Sequence, residues 1–261
     1  MNNGTDDTNA NARWPVWVVG IPLLLHLVLA TYYALALPLW GAVPDEPLHY
    51  SHVKYVAENW SLPVIQDPFR DLKEYYFVAD PAGAAQHGPT YYWSAALIYT
   101  LTKSLTLTGQ QYVLRTYSVL LGLLTIFLAY KSFRLLFRDQ QLLVFACVLL
   151  VTLIPHRLLM SAVIYADAMA ILASTASLYA IIWCIVKQRG AGGWCLAGLV
   201  FGFDMLTKTS AIVILPGLLV TAFVLRLDRE WSWRQVLVYA GSFVVGAAPL
   251  SVPWLWRNLH L

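Results

Sequence analysis

The chain has 261 residues, of which 59% are hydrophobic and only 12% charged, against roughly 45–50% and 25% in soluble domains. That balance excludes a water-soluble fold and describes a polytopic membrane protein. A formal charge of +3, with the Lys and Arg residues set between apolar runs, excludes a nucleic-acid surface. The three cysteines, Cys147, Cys184 and Cys195, fall in or beside apolar segments without metal-like spacing and read as small packing residues.

Residues 1–13 form a polar, Asn- and Asp-rich tail, expected to be disordered, with Arg13 just before the first apolar run. That run, residues 14–40, is too long for a signal-peptide core and lacks a small-residue cleavage site, so it predicts a retained spanning helix with Trp14, Trp17 and Trp40 at its interfaces. It delivers the chain to Pro44-Asp45-Glu46-Pro47-Leu48-His49-Tyr50, two adjacent carboxylates between prolines at a predicted helix start. The bland reading of such a pair is capping, since carboxylate oxygens satisfy the free amides of a first turn and suit the helix dipole.

Residues 48–60 predict a helix along the membrane surface, and Pro63, Pro68, Pro81, Gly83, Gly88 and Pro89 then break the loop. The apolar run 91–101 has about 11 residues, a length more often interfacial or re-entrant than spanning. Later spans are predicted over about 112–137, 140–156, 162–186, 192–207, 209–225 and 235–256, seven with the first. If 91–101 does not cross and the N-terminus is inside, the cytoplasmic ends carry Arg13, then Lys131, Arg134 and Arg138, then Lys187 and Arg189, then Arg226, Arg229 and Arg234. If it does cross, every later basic cluster faces outward, against the positive-inside bias. The fold expected is therefore an all-α polytopic membrane protein of seven transmembrane helices, with a long first outer loop carrying surface helices.

This threading puts Asp45, Glu46, His87, Arg115, His156, Arg157, Lys208, Arg257 and Asn258 at the outer face, with Asp167 one to two turns inside it. A carboxylate within the run around Asp167 is costly in lipid and calls for a polar cavity or a partner. Arg115, Arg157 and Arg257 also have the ordinary alternative of snorkelling to headgroups. Asp204 and Lys208, four apart, are placed to pair on one helix face, unless Lys208 serves a ligand. No internal repeat is visible, which weakens a transporter reading. Polar groups gathered at one rim suit a substrate with its tail in lipid and its head at the outer interface.

These residues resemble those of the GT-C glycosyltransferases, particularly the bacterial relatives of protein O-mannosyltransferases and lipid A aminoarabinose transferase. Pro44 to Tyr50 is similar to the acidic motif of that family's first outer loop. His87-Gly88-Pro89-Thr90-Tyr91-Tyr92-Trp93 resembles the motif that closes the loop, with Gly88 in place of the first of two prolines. Arg115 with Ser118 and Gly122 is similar to the start of the second span, and Tyr165-Ala166-Asp167 resembles a second acidic site that is often Asn-Asp. Thr207-Lys208 resembles a Thr-Lys element that meets the donor phosphate, and Trp256-Arg257-Asn258 an Arg-Asn element after the seventh span.

The resemblance implies inverting transfer of a sugar from a polyprenyl-phosphate donor to an acceptor hydroxyl of unidentified kind, on protein, lipid or glycan, at the extracytoplasmic face of a bacterial or archaeal plasma membrane. It implies Asp45 as general base with Glu46 beside it, Lys208, Arg257, His87 and Arg115 as donor-phosphate ligands in falling order, and Asp167 as the second acidic site. Whether a divalent cation takes part stays open; Asp45, Glu46 and Asp167 offer the oxygen donors that Mg²⁺ or Mn²⁺ would take. The organisation expected is a cytoplasmic tail (1–13) and a transmembrane module (14–261) whose segment 41–111 is the outer catalytic loop. Relatives usually continue past the seventh span, so the chain is read as the shared N-terminal module. The competing readings are a transporter or flippase-like protein for an anionic lipid or solute, and a non-catalytic assembly subunit. Membrane lipid is the expected surroundings, and nucleic acid is not an expected partner.

Overall fold

The computed structural model describes residues 14–38, 45–63, 87–228 and 230–260. They form α1 (Trp17–Ala36), α2 (Glu46–Asn59), α3 (Pro89–Leu101), α4 (Leu107–Leu136), α5 (Gln141–Leu153), α6 (Pro155–Met160), α7 (Asp167–Val186), α8 (Ala191–Thr207), a 3-10 segment (Thr209–Val213), α9 (Ile214–Leu227) and α10 (Trp233–His260). No strand occurs among the described residues. Five helical stretches are long and apolar enough to cross a membrane: Trp17–Ala36, Leu107–Leu136, Asp167–Val186, Thr209–Leu227 and Trp233–Leu259. Two further apolar helices, Gln141–Leu153 and Ala191–Thr207, are shorter. The expected tail 1–13, Trp40, and residues 64–86 of the outer loop lie outside the described residues.

Local chemistry sets several helix boundaries. α2, α3 and α6 each carry proline in the first turn, where the missing N–H costs nothing. Thr106 caps α4, its Oγ1 accepting from the Gly109 amide at 3.2 Å. α8 and α10 cross at backbone contact: a Cβ on Gly198 would lie 2.0 Å from the Phe243 carbonyl oxygen, and one on Gly246 would lie 1.9 Å from that of Cys195. Only glycine permits so close an approach, the small-residue packing common between helices in lipid. A core of Ile181, Trp194, Phe201 and Phe243 fills the seam beside it.

Contacts define one end of the bundle. Arg115 near the start of α4 binds carbonyls at the end of α1, and Lys208 at the end of α8 binds Asp167 at the start of α7. Both ends of α3 belong to this same end. Its first turn meets the end of α8, with Thr90 Oγ1 donating to Thr207 Oγ1 at 2.8 Å, and its end meets the start of α4, where Gln110 Nε2 donates to the Thr102 carbonyl at 3.4 Å. With 13 residues, α3 spans about 20 Å at about 1.5 Å per residue, short of a hydrocarbon layer of about 30 Å. α2 and α3 pack on the bundle through Tyr50, Val53, Val56, Tyr91, Tyr92, Leu114 and Ile164, all buried. At the opposite end, Arg134 lies over the Trp14 ring at 5.3 Å.

Candidate active site

Asp45 immediately precedes α2, yet its side chain makes no capping bond to that helix. Its Oδ2 instead accepts from the Tyr165 hydroxyl at 3.0 Å, across to the linker before α7. Capping therefore does not account for Asp45.

Glu46 has a different neighbourhood from the one expected. It is fully buried: Oε1 accepts from Arg115 Nε at 2.7 Å and from the Ile164 amide at 3.1 Å, and Oε2 accepts from Arg115 Nη2 at 2.6 Å. Arg115 is likewise fully buried, its remaining donors going to the carbonyls of Ala34, Leu37 and Pro38 at 2.8, 3.0 and 3.2 Å. All five guanidinium N–H groups are then used. Arg115, expected as a phosphate ligand, and Glu46, expected beside the base, thus bind each other. The physical reason is that each neutralises the other in a dry pocket, leaving neither a charge nor a free donor for a ligand.

Lys208 pairs with Asp167 at 2.5 Å, both side chains partly open at 30% and 21% exposure. The ion pair expected between Lys208 and Asp204 does not form, because Lys208 leaves the helix with extended backbone (φ −156°, ψ 127°) and its side chain swings to α7. Asp204 is buried and accepts from Ser174 Oγ at 2.9 Å.

His87 lies beside this pair, held below the ordinary imidazole value by burial first and by the Lys208 charge second, against the opposing pull of Asp167 and Asp45. It offers the site a neutral ring with an N–H. The His87 ring is 5.4 Å from that of His49, whose Nδ1 is 2.6 Å from the Tyr92 hydroxyl. Burial, then His87, His52 and Lys208, hold His49 well below the ordinary value. Tyr165 lies on His49 at 4.1 Å between ring centroids, and its hydroxyl is pushed up to about 12 by burial and then by Asp45.

Asp45, His49, His87, Tyr165, Asp167 and Lys208 thus gather at one end of the bundle. The described contacts of Arg257 are the Pro63 carbonyl at 3.5 Å, the Trp254 ring at 5.0 Å and Asn258 Oδ1 at 3.2 Å. His156 is exposed, and Arg157 turns inward to His26 Nδ1 and to the Val151 and Thr152 carbonyls. Among the described residues no three His, Cys, Asp or Glu side chains are grouped to hold a metal ion. Glu46 is taken by Arg115 and Asp167 by Lys208.

His49 and Tyr165 join the site beside the residues expected there. His49 stands four residues after Asp45, one helical turn into α2, and that spacing is the signal the sequence offers for it. For Tyr165 there was none, since its partner is 120 positions away.

Residues 86–256 match the family model described as dolichyl-phosphate-mannose-protein mannosyltransferase. The chain belongs to this family of GT-C glycosyltransferases. Among curated proteins, none matches it. The mannosyltransferase segment contains His87, Arg115, Tyr165, Asp167 and Lys208, whereas Asp45 and Glu46 precede it and Arg257 follows it by one residue. Membership implies sugar transfer from a lipid-phosphate donor and makes this an enzyme family, at odds with the transporter and assembly-subunit readings. An integral membrane setting agrees with the five long apolar stretches.

Proposed function

We propose that the chain transfers a mannosyl unit from a polyprenyl-phosphate donor to a hydroxyl acceptor, with Asp45 as the general base. The observation that supports this reading is the pairing of Asp45 with Tyr165 and of Lys208 with Asp167, two residues further on, which puts a carboxylate and an ammonium at the same end of the bundle. As the acceptor oxygen bonds to the anomeric carbon, the carbon–oxygen bond to phosphate breaks and its electron pair leaves with the phosphate. The acceptor proton passes to Asp45, which must be ionised and within hydrogen-bond reach. Lys208 balances the charge arriving on the phosphate, exchanging Asp167 for the donor, and the His87 N–H adds a neutral hydrogen bond. Attack opposite the departing phosphate inverts the anomeric centre. The family's description favours a protein acceptor, hence a Ser or Thr hydroxyl.

The threading proposed is seven spans with α2 and α3 on the outer surface and the N-terminus in the cytoplasm. Its support is the return of α3 to the end it started from, together with Lys131, Arg134, Lys187, Arg189, Arg226 and Arg234 near the opposite helix ends. The outer side is then extracytoplasmic, and residues 41–111 form its catalytic loop. The test is transfer of labelled mannose from a polyprenyl phosphate to a Ser/Thr-rich peptide by the full chain in lipid, native against Asp45→Asn and Lys208→Met. Loss of turnover in the first and a weakened donor KM in the second are expected. Native turnover in Asp45→Asn would end the general-base reading.

A further inference from the structure

We propose that Tyr165 is the positioning residue of the Asp45 carboxylate, a role that rests on Asp45 being the base. Asp45 makes no capping bond to α2, so its own helix does not fix the carboxylate's orientation through an N-terminal amide. The Tyr165 hydroxyl supplies that restraint, donating to Oδ2 at 3.0 Å. With Oδ2 held, Oδ1 is the oxygen that takes the acceptor proton.

Tyr165 can orient Asp45 because it is itself held on two sides. The amide of the preceding Ile164 donates to Glu46 Oε1 at 3.1 Å, so two successive carboxylates, Asp45 and Glu46, meet two successive donors on the linker before α7. The Glu46 half of that match is anchored in the Arg115 pair, which is fully buried. On the other side the Tyr165 ring rests on His49, and His49 is fixed through Nδ1 by the Tyr92 hydroxyl. A phenol pushed up to about 12 remains a donor throughout the working range, so the restraint does not titrate away. A catalytic group must be held within a fraction of an ångström of its productive geometry, and this arrangement does that for a side chain at a helix start.

The test uses the full chain in lipid vesicles with labelled polyprenyl-phosphate mannose and a Ser/Thr-rich peptide, comparing native protein, Tyr165→Phe, Asp45→Asn and the double variant. Phenylalanine keeps the ring on His49, so melting should be unchanged while kcat falls about 10- to 100-fold with donor KM within about threefold, the scale of a lost hydrogen bond to a charged group. In the Asp45→Asn background the same change should have no further effect, because Tyr165 acts through Asp45. Native kcat in Tyr165→Phe, with Asp45→Asn inactive, overturns the positioning role alone. A raised KM with native kcat overturns it too, as that is the mark of direct substrate contact. Should Asp45→Asn turn over at the native rate, the base assignment itself falls.

Discussion

Arg115 closes a two-pronged ion pair on Glu46, at 2.7 and 2.6 Å, with neither side chain exposed. Together with the carbonyls of Ala34, Leu37 and Pro38 and the Ile164 amide, the pair ties the end of α1, the start of α2, α4 and the linker before α7 into one knot directly behind Asp45. Removing one partner leaves the other as an uncompensated buried charge, which costs about 3–5 kcal/mol. Arg115→Met and Glu46→Gln should therefore each lower the melting temperature markedly in detergent. Arg115→Lys should fall short of rescue, because an ammonium cannot reproduce the five-donor fork. Thermal unfolding of the purified variants reads this directly, and melting of Arg115→Met at the native temperature would refute it.

Gly88→Ala should damage the site while sparing the bundle. A Cβ at residue 88 would lie 1.8 Å from the Leu206 carbonyl oxygen and 2.7 Å from that of Thr207, backbone atoms that cannot swing aside. The start of α3 must then lift from the end of α8, breaking the Thr90–Thr207 hydrogen bond and carrying His87 away from Lys208. We expect transfer to fall at least about tenfold, the scale of a small misplacement of a reacting constellation. Proline, which the related motif carries at this position, also has a Cβ and would meet the same carbonyl. Glycine here follows from close packing in this chain, and native activity in Gly88→Ala would show the contact to be slack.

Much of the scaffold was readable from hydropathy, because a helix crossing lipid must be long and apolar throughout. The short run 91–101 is set apart from the spans by its length together with the positive-inside bias of the later loops, and α3 is a 13-residue helix. What escaped was whatever depends on two distant segments meeting. The Glu46–Arg115 pair joins residues 69 positions apart, and nothing local marks either as the other's partner. The misplaced Asp204–Lys208 pair has a different origin. Four-residue spacing implies a shared face only while the helix continues, and α8 ends at Thr207.

The histidines give a pH dependence whose sign follows from burial. His49 and His87 titrate below the ordinary value near 6.5 in the folded protein, so the unfolded chain binds more protons than the native one as the solution is acidified. Their contribution to stability is fully present above about 6.5 and is lost as the pH falls from there through the lowered folded values. Melting temperature measured from neutral pH downward should decline below about 6.5. In His49→Gln the decline should be shallower, since one depressed group is gone. A slope unchanged by that substitution would remove His49 from the account.

Asp167→Asn separates what the Lys208 pair does for the fold from what it does for the reaction. An ion pair this open to solvent contributes at most about 1 kcal/mol, because water and salt screen it and two flexible side chains must be held. The asparagine variant should therefore melt within a few degrees of the native protein. Lys208, released from its carboxylate, should hold the donor phosphate more tightly and give it up less readily, so the donor KM falls together with kcat. Lys208→Met should do the reverse and raise the donor KM, again with little change in melting. Steady-state kinetics on labelled polyprenyl-phosphate mannose distinguish the two. If both variants leave KM unchanged, Lys208 does not meet the phosphate, and the charge on the departing group must be balanced from elsewhere.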